Sequence, residues 1–97
     1  MFEIYWTAPA RETYLRLKKD PAQDKRYKAV KKAIELLAAN PRHPSLETHE
    51  FTSLKGPQGE KVFEAYAENN TPAAYRVFWY YGPEKDHITI IAITPHP

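Results

Sequence analysis

Apolar positions in the first part of the chain recur every three or four residues, and in the second part they fall in short runs with a period of two. Tyr27, Val30, Ile34 and Leu37 form one stripe, while Lys25, Lys28, Lys32 and Glu35 occupy the other side, which predicts an amphipathic helix over Pro21–Ala39. Ala10, Tyr14 and Leu17, with Leu15 widening the stripe, predict an earlier helix over Ala8–Lys19, with Pro9 in its first turn. Asp20 and Pro21 end one helix and cap the next, and Asn40 and Pro41 stop the second. Ahead of both, Phe2–Thr7 is aromatic and strand-favouring.

After a proline-containing loop from Pro41 to Leu46, four segments read as strands: Thr48–Leu54, Lys61–Ala67, Ala74–Tyr81 and His87–Thr94. The turns between them are Gly56-Pro57-Gln58-Gly59, Asn69–Pro72 and Gly82–Asp86. Connections this short imply antiparallel neighbours. Helices that come first and strands that follow, without alternation, predict an α+β fold: two N-terminal helices packed on a C-terminal twisted antiparallel sheet. A chain of 97 residues is expected to form a single domain, residues 1–97.

Aromatic residues make up 13% of the chain, and eight of the thirteen lie from Phe51 onward, so the strand half has the bulk for a core. With no cysteine, neither disulfides nor thiolate metal sites hold the fold, and a reducing, cytoplasmic setting is expected. No segment reads as a signal peptide or a membrane span. The triplet Asn69-Asn70-Thr71 matches a glycosylation acceptor, but in a cytoplasmic chain it reads as a turn. The net charge of +2 says little by itself; its distribution says more. Residues 1–50 carry ten Lys/Arg against seven Asp/Glu, and residues 51–97 carry four against five. The lysines from Lys18 to Lys32 thus form either a phosphate-facing patch or a solvated helix face.

Period-two reading of Ala74–Tyr81 puts Tyr75, Val77, Trp79 and Tyr81 on one face and Ala74, Arg76, Phe78 and Tyr80 on the other. Arg76 is the anomaly, because a guanidinium within an aromatic strand needs a carboxylate, a carbonyl or a phosphate. Two readings are open. Arg76 pairs with Glu64 across neighbouring strands, or it stands in a cleft and holds a phosphate while Phe78 and Tyr80 stack on bases. The four histidines, at 43, 49, 87 and 96, show no metal-ligand spacing, so no metal or other cofactor is expected. His96, directly after the last strand, is suited to proton exchange. No Gly-rich phosphate loop and no nucleophile elbow is present.

The order of these parts resembles the RelE/ParE superfamily of toxin–antitoxin toxins. The stretches that carry the resemblance are Ala38-Ala39-Asn40-Pro41, Leu54-Lys55-Gly56, Val62-Phe63-Glu64, Ala74-Tyr75-Arg76-Val77-Phe78-Trp79-Tyr80 and Ile91-Ala92-Ile93-Thr94. The resemblance implies a toxin neutralised by a cognate antitoxin protein. It acts either as a metal-independent endoribonuclease on mRNA in the ribosome or, in the ParE branch, by binding gyrase. Carried over residue by residue, Arg76 is the phosphate clamp, Glu64 the base, and His96 or Tyr80 the acid; Lys55, Lys61 and Phe78 are expected to contact RNA. Two departures thin the cationic chemistry. Tyr66 stands where HigB-like members carry an arginine two residues after the glutamate, and no basic tail follows the last strand before Pro97. A weak ribonuclease, or a non-catalytic binding protein of the same fold, is therefore expected.

Overall fold

The computed structural model describes residues 1–69, 71 and 73–95. The chain begins with strand β1 (Glu3–Trp6), and Thr7 then caps helix α1 (Ala8–Lys19), its hydroxyl accepting the Ala10 amide at 3.4 Å. Arg16, Lys18 and Lys19 in the last turn of α1 complement the negative end of the helix dipole. Asp20 accepts the Ala22 amide at 3.0 Å and opens a single 3-10 turn, Pro21–Gln23, so α2 proper runs Asp24–Ala39, three residues later than its periodicity suggests. Asn40, in extended conformation ahead of Pro41, closes it.

Strands β2 (His49–Lys55), β3 (Lys61–Tyr66), β4 (Tyr75–Tyr81) and β5 (His87–Pro95) complete a five-stranded sheet in the order β1-β5-β4-β3-β2. The four C-terminal strands are antiparallel neighbours, as their short turns require. The expectation of a wholly antiparallel sheet is corrected at one edge: β1 pairs with β5 in parallel, Glu3 opposite His87 and Trp6 opposite Ile90, so the sheet is mixed. No short turn constrains that pair, because both helices and three strands separate its members in sequence.

Both helices lie on one face, α1 over β5 and α2 over β4. Ala10 and Leu17 of α1 and Val30, Ala33, Ile34 and Leu37 of α2 bury against Ala65, Val77, Trp79, Ile88, Ile90 and Ile93. Leu15, expected to widen this stripe, instead remains 37% exposed. Tyr14 is half-buried between Trp6 and Tyr27, with ring centroids at 4.9 and 5.3 Å. Ile90 and Ile93 both reach the helix side because β5 bulges at Ile91: Phe78 pairs with Ala92 but Trp79 with Ile90. Thr7 docks on that bulge, its amide donating to Ile90 O and its hydroxyl to Ile91 O. A second, smaller cluster of Val62, Phe78 and Tyr80, with Phe51, Ile91 and Ala92 against it, occupies the face turned away from the helices. Gly82 adopts φ +140°, and a Cβ there would sit 3.3 Å from the Tyr80 ring, so the turn after β4 demands glycine.

Candidate functional site

The face opposite the helices is set by alternation along β3 and β4. Val62, Glu64 and Tyr66 share it with Arg76, Phe78 and Tyr80, while Phe63, Ala65, Val77 and Trp79 turn toward the helices. Tyr66 is directly opposite Arg76, and Glu64 is two pairs further along, opposite Phe78. On the outer side His49 of β2 pairs with Glu64. Four chemically distinct side chains therefore meet at one place on the sheet.

Their geometry is closed. Arg76 is 7% exposed; its Nη1 donates to Glu68 O at 2.9 Å and Tyr75 O at 3.3 Å, and its guanidinium lies 3.7 Å above the Tyr66 ring. Its Nε is 4.0 Å from Glu64 Oε2 and has no hydrogen-bond acceptor among the described residues. Glu64, 1% exposed, meets His49 through Oε1, 2.7 Å from Nε2. The other ring nitrogen of His49 is 3.0 Å from Glu47 O, and this imidazole, about half exposed, is the part of the cluster that reaches solvent. The buried carboxylate is thus flanked by a guanidinium inside and an imidazole at the rim, an arrangement that offsets the cost of removing its charge from water.

Of the two readings of Arg76, the structure contains the cross-strand approach to Glu64, and among the described residues the sheet and Tyr66 enclose the guanidinium. Phe78 and Tyr80 are on the expected face but only 3% and 8% exposed, packed in the second cluster, with Phe51 edge-on to Phe78 at 5.0 Å. They fill a core and do not stand as open stacking platforms for bases. Lys55 and Lys61 pair with each other at the end of the β2–β3 hairpin, and alternation sends Lys61 to the side of Phe63, away from Glu64 and Arg76. Lys55 reaches Glu50 at 3.7 Å. His96 lies outside the described residues, as do Asn70 and Pro72 of the predicted turn. Beside the cluster, Phe51, Ser53, Leu54, Phe78, Ala92 and Thr94 line a shallow hollow of about 250 Å³.

In the sequence His49 is one of four scattered histidines, and no local pattern marks it as a partner of Glu64. A hairpin counted inward from the Lys55–Lys61 pair places Thr52, not His49, across from Glu64. The ladder takes five steps along β2 from Glu50 to Lys55 against two along β3 from Lys61 to Phe63, and that irregularity brings the histidine to the glutamate.

Comparison with family models finds no match, and comparison with curated proteins finds none either. Solved structures do match, over nearly the whole chain. A YoeB/ParE toxin from Agrobacterium tumefaciens superposes with a TM-score of 0.71 at 12% identity, covering 99% of this chain and 100% of that one. The archaeal RelE–RelB complex from Pyrococcus horikoshii OT3 gives 0.66 at 15% identity, covering 97% and 93%. The fold is that of the RelE/ParE toxins. The YoeB dimer from Staphylococcus aureus matches as well, with a TM-score of 0.63 at 15% identity over 99% and 98%. In this sheet Arg76 of β4 faces away from the helices beside Glu64, which in turn meets His49.

Proposed function

We propose that this chain is the toxin of a toxin–antitoxin pair, restrained by an antitoxin polypeptide, and that it acts on its target by binding. The RelE/ParE fold supports the first part. The observation that carries the second is the state of Arg76: a group that clamps a scissile phosphate must reach it, and this guanidinium is buried, stacked on Tyr66 and bonded to two carbonyls of its own chain. Glu64 is still more deeply enclosed. Gyrase, or another protein, is the kind of target that fits this reading.

A second reading, the metal-independent mRNA endoribonuclease, is favoured by one specific feature. The Arg76 Nε is a buried donor without an acceptor among the described residues, 4.0 Å from a carboxylate whose other oxygen holds a half-exposed imidazole. In that reading the face opens, Nε takes a phosphate oxygen, Glu64 serves as base, and Tyr80 or His96 as acid.

Induced expression in a bacterial host separates the readings. The binding toxin arrests growth, is rescued by co-expression of its antitoxin, and leaves the 5′ ends of transcripts unchanged. An innocuous wild-type chain refutes the toxin assignment altogether. Transcript cleavage that disappears in Arg76→Ala, with the variant still folded by circular dichroism, replaces binding by ribonuclease chemistry.

A further inference from the structure

The helical layer carries a charge that the sheet does not share. Residues 8–39 hold nine Lys/Arg against four Asp/Glu, whereas the remainder of the chain holds five against eight. The molecule is thus a small dipole, five positive charges in excess on the two-helix side and three negative in excess elsewhere. Two of the helical cations are internally paired: Lys28 with Asp24 at 3.0 Å, and Arg26 with Glu68 at 2.9 Å. Lys18, Lys19, Lys25, Lys31 and Lys32 are exposed and enter no ion pair among the described residues.

Their placement is regular. At 100° per residue Lys25, Lys28 and Lys32 fall within a narrow sector of α2, with Glu35 at its edge, opposite the buried stripe of Val30, Ile34 and Leu37. From first to last they span about 10 Å along the axis, the length of about three base pairs of a duplex. Lys18 and Lys19 end α1 just before the short turn that leads into this stripe. A lipid surface would require apolar side chains beside the lysines, and Leu15 is the one large exposed apolar residue of the helices among the described residues. A repeating polyanion that presents charge without demanding insertion fits better.

We infer that this layer, centred on Lys25, Lys28 and Lys32 with Lys18 and Lys19 beside them, docks on the phosphate backbone of a nucleic-acid duplex. The inference goes beyond the toxin reading and does not depend on it: growth arrest and duplex binding are separate measurements, and either can fail alone. Contact is through charge and carries no base sequence, so affinity responds to salt.

The test is fluorescence anisotropy of the full chain with short labelled RNA and DNA duplexes. If roughly five phosphates are neutralised, affinity falls about 500-fold between about 50 and 200 mM salt. The triple variant Lys25→Ala/Lys28→Ala/Lys32→Ala lowers the salt slope by about three, and Lys85→Ala, on the turn between β4 and β5, leaves it unchanged. Whichever duplex binds tighter identifies the nucleic acid. Salt-independent binding, no binding, equal loss in Lys85→Ala, or equal affinity for polyglutamate or anionic vesicles overturns the inference.

Discussion

A guanidinium withdrawn from water beside a single carboxylate 4.0 Å away gains little from that contact, and Arg76 is held instead by two backbone carbonyls and the face of Tyr66. Such a side chain is hard to replace. Arg76→Met removes the guanidinium beside the buried Glu64 and leaves His49 at its rim, and the expected loss is about 3 kcal/mol in urea unfolding. Arg76→Lys is expected to recover little of it, since an ammonium cannot both lie flat on Tyr66 and donate sideways to the Glu68 carbonyl. A lysine variant as stable as wild type would remove this account. Tyr14 makes a different prediction. Burial, then the hydrogen bond to Tyr27, and lastly Glu35 raise its hydroxyl above the ordinary value of 10.0. A raised folded pKa stabilises the neutral form, so its contribution is complete below 10.0 and declines as pH rises beyond it. Urea midpoints taken on either side of that value therefore fall more steeply in wild type than in Tyr14→Phe. Parallel curves would show that Tyr14 does not contribute.

At the scale of elements, Thr7 joins more parts than any cap needs to. Its hydroxyl accepts from the Ala10 amide and donates to Ile91 O, fastening the start of α1 to the bulge of β5. Thr7→Ala is expected to cost about 2 kcal/mol, at the upper end for a helix cap, and Thr7→Ser a fraction of that. Thermal unfolding that ranks the two variants equal would show that the methyl group, not the hydroxyl, matters. The elements themselves were legible where their signals are local: the stripe of Val30, Ile34 and Leu37, the Asp20-Pro21 junction, and the turn chemistry that separates β2 through β5. The parallel partner of β1 was not, because the contact of Glu3 with His87 joins opposite ends of the chain and no local pattern encodes it. The face of Arg76 could be read from alternation, and so could its nearness to Glu64. What hid the rest of the cluster was irregular pairing: extra residues in β2 move His49 into register with Glu64, and periodicity cannot anticipate a bulge.

Across the whole molecule, stability is not spread evenly, and the gradient runs toward the candidate site. β4 is paired on both sides and contributes Val77 and Trp79 to the larger core, Phe78 and Tyr80 to the smaller. β2 is an edge strand, exposed over most of its length, with register partners on β3 only for His49, Glu50 and Lys55. Opening β2 therefore breaks few hydrogen bonds and uncovers little apolar surface beyond Phe51, while opening β4 dismantles both cores. Native-state hydrogen exchange is expected to place the β4 amides at the free energy of global unfolding and the Thr52–Leu54 amides several kcal/mol below it, released by a local excursion. That excursion also lifts His49 from Glu64 and is the movement by which solvent, or a phosphate, gains the buried donor of Arg76. Equal protection in β2 and β4 would mean that the face does not open short of unfolding. The ribonuclease reading would then lose its route to the substrate, and a rigid binding surface would be the form in which this fold acts.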